Sequence, residues 1–186
     1  MPLLTTQSAR SYGLNRYISL SNNSFESIAT YSGTGSSGTI TFSSIPQTYK
    51  HLQLRTFTNT SRASGASGSG SLQFNGDTVG TNYWTHYMYA FGASVSGGSY
   101  NENYGTFWYG DSNTYVGSVI DILDYASTTK KTTAKIHSGY DQNGAGATGL
   151  ISLFWNNTAA VNQIVLTAAS YNWGSNSRFA LYGIKG

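Results

Sequence analysis

Residues 51–77, HLQLRTFTNTSRASGASGSGSLQFNGD, hold the reading that decides the fold. The stretch begins as an alternating run, with Leu52 and Leu54 set against Gln53 and Arg55, the period-two signature of a half-buried strand. It then dissolves into Ser, Gly and Ala. A second short run, SLQFNG, follows and closes on Asn-Gly-Asp, a turn signal. Strand, small-residue loop, strand is the grammar of an all-β chain, and it places 61–71 in a loop outside the core.

The same grammar continues outward. Strands are expected at 25–32, 39–45, 50–58, 71–76, 105–110, 115–125, 132–140, 149–155, 163–169 and 178–185. They are rich in Val, Ile, Thr, Tyr, Phe and Trp, which pack well on a pleated surface. In YVGSVIDILDY, Val116, Ser118, Ile120 and Ile122 share one face. The last strand is apolar on both faces, Phe179 and Leu181 on one, Ala180, Tyr182 and Ile184 on the other. Such a strand is covered on both sides, by a second sheet, a neighbouring subunit, or both. TNYWTHYMYAF (81–91) reads equally as a short helix or an irregular aromatic crossover. Ten short strands with Gly/Ser turns and no long helix predict an antiparallel β-sandwich over 25–186.

Residues 1–24 stand apart. They carry Arg10 and Arg16, no acid, and apolar residues that follow neither period. Two readings are open: a frayed terminus, or an extended arm that docks Leu3, Leu4, Tyr12, Leu14, Tyr17, Ile18 and Leu20 onto a partner.

Composition narrows the function. Charged residues make up 9% of 186, against about 25% in ordinary domains. The net charge of +3 is scattered, not clustered as a nucleic-acid footprint requires. No apolar run reaches 18 residues, so no membrane span is expected. MPLLTTQSAR has no early cation and no apolar leader core, so no signal peptide is expected. There is no cysteine, which removes disulfides, thiolate metal sites and cysteine nucleophiles.

The motifs that resemble chemistry do not assemble. GTGSSG (33–38) and GAGATG (144–149) match a dinucleotide glycine pattern. Each runs into a strand, whereas that pattern needs a helix N-terminus for the pyrophosphate, so both are expected to be hairpin loops. His51, His86 and His137 lack metal-ligand spacing. Asp121 and Asp124 are the only close carboxylates; three apart on a strand they face opposite ways and cannot flank one bond. They are expected to bond turn amides. Lys130, Lys131 and Lys135 form the one basic cluster, read either as a contact to an acidic partner or as gatekeeping on an exposed strand edge. NYWTHYMYAF and YGTFWYG gather nine aromatics that fit a thick core, an oligomer interface or a ligand platform. No cofactor and no enzyme activity is expected.

Several stretches taken together resemble a known group: SARSYG, ITFSSIPQTYKHLQLR, LQFNGDTVGTNYWTHYMY, IDILDYASTTKKTT and FWNNTAAVNQIVLTAASYNWGSNSRFALYGIKG. They are similar to tailed-phage virion proteins of the cyanophage type, jelly-roll or β-sandwich proteins that decorate the capsid or form parts of tail fibres. The resemblance covers most of 25–186 and touches the arm. It implies a jelly-roll-like sandwich with an extended N-terminal arm, a non-enzymatic homotrimer, and residence in the virion after assembly in the host cytoplasm. The chain has no long fibrous or coiled-coil segment, which favours a head decoration (cement) protein. On that reading Leu3, Leu4, Arg10, Tyr12, Leu14, Arg16 and Tyr17 bind the major capsid protein, and Tyr87, Tyr89, Trp108, Phe179, Tyr182 and Ile184 contribute to the trimer contact. The alternative is a tail-fibre or tail-tip module binding host glycan through Trp84, Trp108 and Trp173.

Overall fold

Twelve strands run through residues 24–65 and 67–186, which the computed structural model describes, and no helix interrupts them among those residues. The strands are β1 Phe25–Ser32, β2 Thr39–Phe42, β3 His51–Thr58, β4 Ser67–Phe74, β5 Tyr83–Phe91, β6 Ser94–Glu102, β7 Gly105–Gly110, β8 Val116–Leu123, β9 Thr133–Tyr140, β10 Ala147–Trp155, β11 Ile164–Thr167 and β12 Arg178–Ile184. All pairings between these strands are antiparallel. They form an eight-stranded sheet, ordered β1-β12-β3-β8-β9-β10-β5-β6, and a four-stranded sheet, β2-β11-β4-β7.

Setting aside the hairpins β5–β6 and β9–β10 leaves eight strands in two layers, β1-β12-β3-β8 against β2-β11-β4-β7. The chain crosses between layers as a jelly roll does, with two interleaved Greek keys. The sandwich expected from the sequence is the observed fold. The two hairpins extend only the large sheet, so β6 and residues 87–91 of β5 project beyond the small one, whereas Tyr83, Leu153 and Trp155 stay buried against it.

Alternation explains which residues fill the interior. Leu52 and Leu54 of β3, Ile120 and Ile122 of β8, Ile136 of β9 and Leu153 of β10 point inward and are buried. Phe42, Leu72, Phe74, Phe107, Ile164 and Leu166 meet them from the small sheet. Trp173, on the β11–β12 connection, is fully buried; Phe179, Tyr109 and Phe107 surround it at ring-centroid distances of 5.0, 5.8 and 6.1 Å. Trp155 forms a second centre with Phe74 (5.6 Å) and Tyr83 (6.4 Å).

Three expectations are corrected. The Ser/Gly run is not all loop: Ser67–Phe74 is a strand paired with β7 and β11. Side chains larger than hydrogen do not fit at its glycines. A Cβ on Gly68 would lie 2.6 Å from the Tyr109 ring, and one on Gly70 would lie 2.9 Å from the Thr167 carbonyl oxygen. The missing side chains are replaced by neighbouring rings, a device that strand propensity does not register. Second, the ambiguous segment is the regular strand β5, and SVSGGSYNE, which carries almost no β-formers, pairs with it along its length as β6. Third, GTGSSG joins β1 of the large sheet to β2 of the small one, so it is a crossover between layers rather than a hairpin turn; GAGATG enters β10 from the β9–β10 hairpin as expected.

Candidate functional site

The register of the large sheet aligns its outward side chains into rows. One row runs Arg55, Val119, His137, Leu150, Met88, Gly97 across six strands. Beside it on one side runs Phe57, Gly117, Gly139, Thr148, Ala90, Val95. A polar row, Gln53, Asp121, Lys135, Ser152, His86, Ser99, lies on the other side. Beyond that stand Phe154 and Trp84. An outer sheet face in contact with water alternates to polar residues. Here Leu150 and Met88 are each 53% exposed, Trp84 47% and Val95 72%.

A groove of about 720 Å³ follows these rows across β5, β10, β9 and β8, between Met88 and Leu150 on one side and Asp121, Lys135 and His137 on the other. A further hollow of about 500 Å³ extends it toward Ala90, Val95 and Thr148. Few charges face the groove. Asp121 and Lys135 are register partners and lie on opposite-sign sides of one pair, and Gln53 donates to Asp121 Oδ1 at 2.8 Å. His137 Nε2 lies 3.1 Å from Thr148 Oγ1. This face can cover an apolar surface; it presents no acid–base pair positioned on one bond. Among the described residues no group of three His, Asp or Glu side chains gathers as a metal site would need.

The residues singled out from the sequence fall in four places. Leu3, Leu4, Arg10, Tyr12, Leu14, Arg16 and Tyr17 lie outside the described residues. Tyr182 and Ile184 face outward on β12, and the Arg55 guanidinium sits 5.5 Å from the Tyr182 ring centre. Tyr87, Tyr89 and Trp108 are half-buried on the opposite, inner side of the projecting strands. There Tyr87 and Tyr89 stack at 5.9 Å and Trp108 meets Tyr89 edge-on at 6.1 Å. Phe179 is a correction: it points between the sheets, fully buried against Trp173, because it occupies the inward phase of β12. Trp173 is likewise corrected. It is sealed inside the core and offers no face to a glycan.

Two polar expectations also change. The lysines guard no edge, since β9 is paired on both sides by β8 and β10. Lys130 bonds Asp124 at 2.8 Å and Lys131 lies over the Phe154 ring at 5.5 Å. The Asp124 carboxylate binds Lys130 and Lys50 rather than turn amides, and the Lys130 hydrogen bond first, then the Lys130 and Lys50 charges, hold its pKa below the usual carboxylate range. The turn amides of Thr129 and Lys130 donate instead to Ser127 Oγ.

The outward rows could not be read beforehand because they depend on which strands neighbour one another. Met88 and Leu150 are 62 residues apart in sequence yet directly opposed. The readable signal was weaker: an apolar residue at the supposedly wet phase of several strands. No protein-family model, curated protein or solved structure matches this chain.

Proposed function

We propose that this chain is a tailed-phage virion structural protein that decorates the assembled head as a homotrimer, using the outer face of its large sheet against neighbouring copies and its N-terminal arm against the major capsid protein. The observation that carries the reading is the exposed apolar pair Leu150 and Met88, flanked by Val95 and, across His137, by Val119, on an otherwise charge-poor sheet. Large contiguous apolar patches on soluble proteins mark sites of association. Six strands at about 4.8 Å spacing make the face roughly 25 Å wide, on the scale of the ~800 Å² that each partner gives to a standard interface. Tyr182 and Ile184 extend it along β12. The resemblance to phage virion proteins supplies the particle. A cement protein stabilises a lattice because it binds the assembled form and not the free subunit, a task needing surface and no catalytic group.

Immunogold labelling of virions tests the location. Gold over the whole head supports decoration. Gold confined to the tail tip overturns it in favour of the second reading, a receptor-binding module, which the exposed Trp84, opposite Asn101 and beside His86 of the polar row, favours.

A further inference from the structure

The small sheet covers the inner side of β10 and β5 only in part: Tyr83, Thr85, Leu153 and Trp155 are buried, while Tyr87 and Tyr89 of β5 and Tyr100 of β6 stay half-buried beyond its edge. The edge strand β7 flanks that side. Between them is a small pocket of about 180 Å³. Its walls are the rings of Tyr87, Tyr89, Tyr100 and Trp108, with Ile151, Ser69 and Thr106 also in the lining. Tyr87 packs on Tyr100 at 5.8 Å, tilted by 48°, so the rings form a bent wall rather than a flat stack. Two glycines let these rings seat against β6 and β10. A Cβ on Gly98 would strike the Tyr87 hydroxyl at 2.8 Å, and one on Gly149 would strike the Trp108 indole at 2.7 Å.

The lining selects its ligand. No charged side chain lines the pocket, so it offers nothing to pair with an anion and no carboxylate to complement a cation. It offers aromatic faces for apolar C–H surface, together with hydroxyls that both donate and accept. That combination fits a neutral pyranose, whose ring has an apolar C–H face and an equatorial rim of hydroxyls. The volume suits one ring, since pockets for drug-sized ligands run roughly 300–1,000 Å³. We infer that the pocket walled by Tyr87, Tyr89, Tyr100 and Trp108 binds a single neutral sugar residue. The site lies on the opposite side of the sheet from the proposed trimer face and stands whether the chain sits on the head or the tail.

The test uses the full chain and saturation-transfer NMR with glucose, galactose, mannose, fucose, N-acetylglucosamine and N-acetylgalactosamine, each at about 50 mM, far above a millimolar dissociation constant. At least one sugar should receive saturation at its ring C–H protons. Trp108→Ala should weaken that sugar about tenfold, the loss expected for one stacked aromatic. Because Trp108→Ala opens space beside Gly149, Tyr89→Phe provides a milder variant that removes only a hydroxyl from the lining and should also weaken binding. Thr41→Ala, exposed on β2 at the far edge of the small sheet from β7, should leave it unchanged. Silence from all six sugars overturns the inference. So does a signal that persists in both folded pocket variants, or one that Thr41→Ala abolishes. Tetramethylammonium binding with no sugar binding would also overturn it, by assigning the ring wall to a cation.

Discussion

Asp77 shows how one side chain can tie distant parts of the chain together. Its carboxylate accepts hydrogen bonds from the Val79 amide (2.9 Å), the Asn82 side-chain amide (2.9 Å) and the buried Trp155 indole (2.8 Å), 78 residues away. Burial alone would raise its pKa, but those donors outweigh it and hold the carboxyl below its ordinary value. The folded state therefore binds the proton less readily than the unfolded chain, whose Asp titrates at about 3.9. The stabilisation is complete above that pH and is lost as pH falls toward the folded value. Urea midpoints measured from pH 5.5 to 2.5 should fall for the native chain and fall less steeply for Asp77→Asn. Asp77→Ala, which strands the Trp155 N–H, should cost about 1–3 kcal/mol at pH 7. The turn itself was legible: Asn75 and Gly76 both take positive φ, 54° and 66°, as Asn-Gly does in tight turns. The Trp155 partner was not, because nothing local marks it. A buried pair on β8 and β9, Ser118 Oγ to Ser138 Oγ at 2.7 Å, gives a second residue-scale test. Either single Ala substitution should lower stability by about 1 kcal/mol, while the double variant loses less than the sum, since removing both hydroxyls leaves neither unpaired.

Among the elements, β4 is the instructive one. Its sequence, SGSGSLQF, has a first half with no β-former, yet it is an inner strand of the small sheet, paired with β11 and β7. The strand is held by its ladder and by the rings of Tyr109 and Phe107 that occupy the space above Gly68 and Gly70. Hydrogen exchange should separate the two halves of the Ser/Gly run: amides in the paired part of β4 should be protected, and those at 63–65 should exchange orders of magnitude faster. Gly70→Ala should destabilise by about 1–3 kcal/mol because its Cβ meets the Thr167 main-chain oxygen at 2.9 Å, which cannot move without breaking the β11 ladder. This divides what was legible from what was not. Strands with their own alternation, such as β3 and β8, were visible from side chains alone. β4 and β6 owe their conformation to partners, and a residue pattern carries no trace of a partner's ring or edge.

At the scale of the whole molecule, a jelly roll that closes its own core has no need for Leu150, Met88 and Val119 on the outside. Burying such residues gains roughly 25 cal/mol per Å², and a partner's face is where that gain is available. The row also carries its own registry marks, with Asp121 and Lys135 adjacent in the polar row where a neighbouring copy can meet opposite charge. On the proposed homotrimer, light scattering on the purified native chain should give a particle of three times the 20.0 kDa chain mass. Leu150→Asp places a charge at the centre of the proposed contact, where an unpaired buried carboxylate is strongly disfavoured, and should shift the mass to that of one chain. Circular dichroism should be unchanged, because residue 150 points away from the core. A control sits on the other sheet: Thr41→Asp, exposed on β2 of the small sheet, should leave the trimer intact. If Leu150→Asp remains trimeric while folded, the contact lies on another face.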